Sequence, residues 1–127
     1  MREDIQNRIN TSPEDQVDLG EMNIVDEDME EIADAIVTKK PDAKEIFLNN
    51  NNITDKSADL MKNAFSKLSQ LLVLDLQFNA LAKPGITILY SLKSVHPELD
   101  ISLHGNQITD TNEMKTIEEA ASKFVPK

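Results

Sequence analysis

Ser102, His104 and Asp75 are the residues of this sequence closest to a catalytic set. Ser102 and His104 stand two apart in a stretch that reads as a strand, so both side chains leave the same face. Asp75 lies on a matching stretch upstream, and strand pairing would bring it near His104. Serine, histidine and aspartate can supply a nucleophile, its base and the acid that orients the base. A serine and a histidine on one strand, with no oxyanion donors beside them, do not make a nucleophile. The reading is therefore not an enzyme. His96, the other histidine, precedes Pro97 at the expected end of a helix and reads as a polar loop residue.

Asp26, Asp28 and Glu30 alternate as calcium-loop ligands do, but the turn glycine and the later bidentate glutamate are missing. They read as the solvated acidic start of a helix, where carboxylates favour the N-terminal dipole. With no cysteine in the chain, disulfides and thiolate metal sites are excluded. There is no glycine-rich phosphate loop. The expectation is no cofactor and no metal.

The charge points to protein partners. The formal net charge is −10. Residues 1–32 carry eleven acids against Arg2 and Arg8, and the rest of the chain is nearly balanced. An acidic chain without a basic patch is repelled by nucleic acid and by anionic membranes. Its acidity also serves plain solubility. No apolar run approaches the roughly 20 residues of a membrane span, and the N-terminus lacks the apolar core of a signal peptide. Asn10-Thr11-Ser12 and Asn52-Ile53-Thr54 match the glycosylation sequon and read as chance without a secretory signal. The expected compartment is cytoplasmic, with export by a route lacking a cleaved signal left open.

The elements that would hold these residues follow a repeat. Leu74-Asp-Leu-Gln-Phe-Asn-Ala-Leu81 reads Leu-x-Leu-x-x-Asn-x-Leu, with near copies at Ile46–Ile53 and Ile101–Ile108. Asn51, Asn79 and Asn106 are spaced 28 and 27 residues apart. A fixed period in this range means stacked strand-plus-helix units. Leucines two apart share one face of a strand. The pairs Ile46/Leu48, Leu74/Leu76 and Ile101/Leu103 should therefore fill a common core, with the strands in parallel. The asparagine amide, two donors and an acceptor, should bond backbone groups in its own turn and in the neighbouring unit.

In chain order, Ile5 and Ile9 stand four apart in residues 1–12, which are compatible with a short helix or with a mobile arm. Ser12 to Asp15 form a turn into a strand. Val17, Leu19, Met22 and Ile24 occupy the motif positions of a degenerate first unit, methionine replacing asparagine. A helix is expected over about 26–38, with Met29, Ile32, Ala33 and Ile36 inward. Strands at about 45–48, 73–76 and 100–103 follow. Helices begin near Asp55 (inward face Leu60, Met61, Ala64, Phe65 and Leu68), near Pro84 (Ile86, Ile88, Leu89 and Leu92) and at Asp110 (Met114, Ile117, Ala121 and Phe124). Phe78 is expected to tuck under its turn as core.

This constellation resembles the leucine-rich repeat family, in its long-repeat, helix-containing, ribonuclease-inhibitor-like form. The resemblance covers about residues 17–127. That family tends to place glycine six residues after the asparagine; Gly85 stands there after Asn79, whereas the other units have Ser57 and Asn112. The resemblance implies an α/β solenoid of about four strand–helix units (about 17–45, 46–73, 74–100 and 101–127). A small parallel sheet would line its concave face and helices its convex face. Residues 1–15 would be an N-terminal arm or cap to a repeat domain over 16–127.

It also implies recognition rather than catalysis. Strand alternation assigns the outward surface to Glu45, Phe47 and Asn49, then Val73, Asp75 and Gln77, then Asp100, Ser102 and His104. The expected function is to bind another protein through this strip, with Phe47 as anchor unless it packs against the N-terminal arm. An alternative is an acidic inhibitor of a basic enzyme acting through residues 1–15, which deletion should remove without unfolding the rest. A further alternative is self-association through a terminal repeat edge. The asparagine- and lysine-rich composition is similar to that of short solenoids from intracellular bacterial pathogens, some injected into host cells as effectors.

Overall fold

A computed structural model describes residues 2–107. Its elements run α1 (Glu3–Thr11), β1 (Gln16–Asp18), α2 (Asp26–Lys39), β2 (Glu45–Phe47), α3 (Ala58–Phe65), β3 (Val73–Asp75), α4 (Lys83–Tyr90) and β4 (Asp100–Ser102). Single 3-10 turns precede α3 at Asp55–Ser57 and follow α4 at Ser91–Ser94. The expected last helix, with Asp110, Met114, Ile117, Ala121 and Phe124, lies outside the described residues.

The strands form one parallel sheet in sequence order, β1-β2-β3-β4. Gln16, Glu45, Val73 and Asp100 are register partners, as are Asp18, Phe47, Asp75 and Ser102. Between them Val17, Ile46 and Leu74 are fully buried and Ile101 nearly so. Two residues further on, Leu19, Leu48, Leu76 and Leu103 are buried as well. The alternation of a strand thus sends each leucine pair into one core, against the buried stripes of the helices: Met29, Ile32 and Ile36 on α2, Met61 and Phe65 on α3, Ile86 and Leu89 on α4. Leu60, Ala64 and Ile88, expected inward, are only partly buried at the rims of the helix faces.

Backbone pairing continues past the strands. Leu19 N–H donates to Phe47 O at 2.8 Å, Leu48 N–H to Asp75 O at 2.8 Å and Leu76 N–H to Ser102 O at 2.9 Å. The chain then turns. Glu21, Asn50, Phe78 and Gly105 occupy the same place in successive units, and all have left-handed φ, between 57° and 78°. The asparagine that follows closes each turn. Asn51 Nδ2 donates to Leu48 O and Leu19 O, both at 3.0 Å, while its Oδ1 accepts Met22 N–H at 3.0 Å and Ile24 N–H at 2.9 Å. Asn79 repeats this with Leu48 O, Leu76 O and Ile53 N–H, and Asn106 with Leu76 O, Leu103 O and Leu81 N–H. Each asparagine therefore satisfies its own turn and the preceding one, as its spacing predicts. Met22, in the asparagine's place in the first unit, has no side-chain hydrogen bond to offer; its N–H donates to Asn51 and its carbonyl accepts from Arg2 Nη2.

Aspartates make a second set of ties. Asp26 accepts Thr54 N–H at 3.0 Å and the Thr54 and Ser57 hydroxyls at 2.6 Å each. Asp55 accepts Ala82 N–H at 2.8 Å. A Cβ at Gly85 would stand 2.1 Å from Asp55 Oδ1. In the preceding unit the matching Ser57 instead donates its hydroxyl to Asp26.

Three expectations need correction, the first being that residues 1–15 can be deleted without unfolding the rest. Of the short helix and the mobile arm that the sequence leaves open, the structure has the helix, α1, whose Ile5 and Ile9 are fully buried in the common core. Lys40 Nζ ties the end of this segment down, donating to Ser12 O at 2.7 Å and Pro13 O at 2.8 Å. Residues 1–15 therefore cannot be removed without opening that core. Phe78 is not core but 55% exposed, because the left-handed backbone turns its side chain out of the inward alternation of Leu74 and Leu76. His96 is not a loop residue in solvent. It is buried, with Nε2 2.9 Å from Phe65 O. A carbonyl only accepts, so Nε2 carries the proton and bonds the carbonyl of the last residue of α3, which also accepts Leu68 N–H at 3.1 Å.

Candidate interaction surface

The residues expected to face outward do so in register. Glu45, Val73 and Asp100 form one row across β2, β3 and β4, and Phe47, Asp75 and Ser102 the next. Asn49, Gln77 and His104 follow two residues further along the chain, where Gln77 O and His104 O take backbone N–H groups of the adjoining units. Asp100 and His104 are exposed; the other seven are half-buried. Neighbouring strands lie about 4.8 Å apart, so the three rows make one continuous strip. The expected strip begins at β2; β1, itself expected as a strand, adds the outward residues Gln16, Asp18 and Gly20 to the same rows. The degenerate motif hid that extension.

At the β1 end the strip deepens into a recess of about 560 Å³, bounded by Arg8 of α1 and by Asp18, Glu21, Phe47 and Asn49. Gly20 lies at its floor. A Cβ there would stand 2.6 Å from Asn49 Oδ1, so glycine leaves the space that the asparagine side chain fills. Phe47 and the N-terminal segment thus border one recess, the neighbourhood the sequence offered as an alternative to free exposure.

The electrostatics of the strip are lopsided. Asp18, Glu45, Asp75 and Asp100 place a carboxylate on each strand. Arg8 Nη1 approaches Asp18 at 4.0 Å, with both side chains about half exposed. Asp18 and Asp75 are held alike: Asp18 Oδ1 accepts Gly20 N–H at 3.2 Å and Asp75 Oδ1 accepts Gln77 N–H at 3.0 Å. Those bonds fix where the carboxylates point. Asp75 and Ser102 are register partners, but no hydrogen bond links Asp75, Ser102 and His104 into a relay. Among the described residues no group of three or more His, Asp or Glu is arranged to hold a metal ion.

A second concavity, about 680 Å³, lies between α2 and α3. Ala33, Val37, Leu60 and Ala64 form its floor, with Asp34 and Lys67 at its rim. Leu60 and Ala64, expected inward, are only partly buried because they face this concavity. No helix among the described residues is long and apolar enough to cross a membrane. No protein-family model matches the chain, and no curated protein or solved structure matches it either.

Proposed function

We propose that the chain is a short leucine-rich-repeat solenoid that binds another protein, without catalysis, through the outward strip of its sheet. The observation that carries the reading is the in-register array of Glu45/Val73/Asp100, Phe47/Asp75/Ser102 and Asn49/Gln77/His104 over a core of paired leucines. The asparagine bonds support it further. They hold the turns rigid at the cost of no outward side chain, so the strip is preorganised and little ordering is left to the moment of binding.

Affinity capture from the source cells with wild type and with the Phe47→Ala/Asp75→Ala/His104→Ala triple variant isolates candidate partners, whose purified affinities are then measured by calorimetry. A partner that binds the triple variant at least about tenfold more weakly, the mark of lost interface anchors, supports the strip, provided the melting temperature is kept. Equal affinity for both proteins removes the strip as the binding face.

A further inference from the structure

We infer that Phe78 is the apolar anchor with which this face captures a lysine- or arginine-bearing segment of another protein. The inference rests on the reading of the strip as a binding face and adds to it a residue and a partner chemistry.

Among the described residues Phe78 is the most exposed of the large hydrophobic side chains, at 55%. Its φ of +57° lies in the left-handed region. That region is uncommon for a bulky residue and easy for asparagine or glycine; the matching places hold Glu21, Asn50 and Gly105. The ring does not repay the strain by filling the core. It lies over Gly105, where a Cβ would stand 2.3 Å from Phe78 Cδ1. A glycine that is itself left-handed, at φ +78°, thus clears a place for an exposed aromatic ring. The turn requires left-handed backbone at this place in every unit, but it does not require an exposed aromatic ring there, and aromatic side chains are common anchors of protein interfaces.

Position and charge name the partner. Phe78 N–H donates to His104 O, so the ring stands at the end of the strip, three residues past Asp75. The strip brings Asp18, Glu45, Asp75 and Asp100 to the same side, with Arg8 as its neighbouring cation. A segment with an apolar side chain beside Lys or Arg complements both features. Nucleic acid and a second copy of this acidic chain are repelled by the same field.

The probe is a phage-displayed random peptide library panned on the wild-type protein, with enriched peptides synthesised and measured by fluorescence anisotropy. The expected peptides carry an excess of Lys or Arg together with an aliphatic or aromatic residue, and bind more weakly as salt rises. Phe78→Asn should weaken them at least about tenfold while the melting temperature stays within about 5 °C of wild type. If the peptides bind wild type and Phe78→Asn alike but are weakened by Asp75→Ala, the anchor falls and the strip stands. No enrichment, enrichment of neutral or acidic peptides, or indifference to both substitutions overturns anchor and strip together. A Phe78→Asn protein that melts far below wild type makes the ring a structural element and also overturns the anchor.

Discussion

Asn51 Oδ1 accepts the Ile24 N–H at 2.9 Å, a buried hydrogen bond between residues 27 apart in the chain. The same amide reaches Met22 N–H, Leu19 O and Leu48 O, so one side chain joins two consecutive turns. Truncation leaves donors and acceptors of two units without partners, in a place where Asn51 itself is 6% exposed. An unsatisfied buried group costs about 1–3 kcal/mol. Asn51→Ala should therefore lower unfolding free energy in urea by about 3 kcal/mol. Asn79, part-buried and with a single N–H donor to its oxygen, should cost less. Asp75→Ala, which touches only its own turn, should cost about 0.5 kcal/mol. A loss at Asp75 equal to that at Asn79 would show that the inward and outward phases are interchanged.

Asp26 makes stability depend on pH. Burial alone pushes its carboxyl up, but the hydrogen bonds from Ser57 and Thr54 together outweigh burial and hold it below the ordinary aspartate value. A depressed folded-state pKa contributes stability that is fully present above the unfolded-state pKa, about 4. That contribution fades as pH falls through the lower folded-state value. Wild type should lose urea resistance between neutral and strongly acidic pH. Asp26→Asn should be weaker at neutral pH and lose less on acidification. Parallel pH profiles for the two proteins would count against the role given to Asp26.

The N-terminal helix is predicted to be part of the cooperative fold. Ile9 is fully buried, so Ile9→Ala should cost about 3 kcal/mol. Lys40→Met removes the ammonium from Ser12 O and Pro13 O and should cost about 2 kcal/mol. Both losses should appear in the single global transition seen by circular dichroism. Hydrogen exchange in which α1 opens independently in wild type would contradict this.

What could be read in the sequence, and what could not, follows from range. The leucine pairs and asparagines repeat at a fixed spacing, so strand phase, parallel order and the asparagine bonds are all legible in the sequence. Ile5 and Ile9 showed the right spacing, but two residues make no stripe, and the core face they complete belongs to the first unit rather than to their own segment. His96 depends on Phe65 O, 31 residues away and outside any motif. The expectation of a core Phe78 rests on its hydrophobicity alone. The matching Asn50 and Gly105 are residue types that favour left-handed backbone, and that was the available sign that position 78 turns outward. The strip's residues were legible from alternation, while the recess beside Arg8 required the packing of α1.

Gly105 and Phe78 give the sharpest stability test, because two separable effects meet there. Alanine at Gly105 must adopt φ near +78°, which costs about 1 kcal/mol for a residue with a Cβ. It must also displace the Phe78 ring, since the added carbon would stand 2.3 Å from Cδ1. Gly105→Ala should therefore cost about 2 kcal/mol in the wild-type background, strain plus displacement. In a Phe78→Ala background the ring is gone and only the strain remains, so the same substitution should cost about 1 kcal/mol. The difference is the coupling between the two residues, and a double-mutant cycle in urea measures it directly. Additive costs would mean that the ring and the glycine do not touch, and Gly105 would then be needed for its backbone alone.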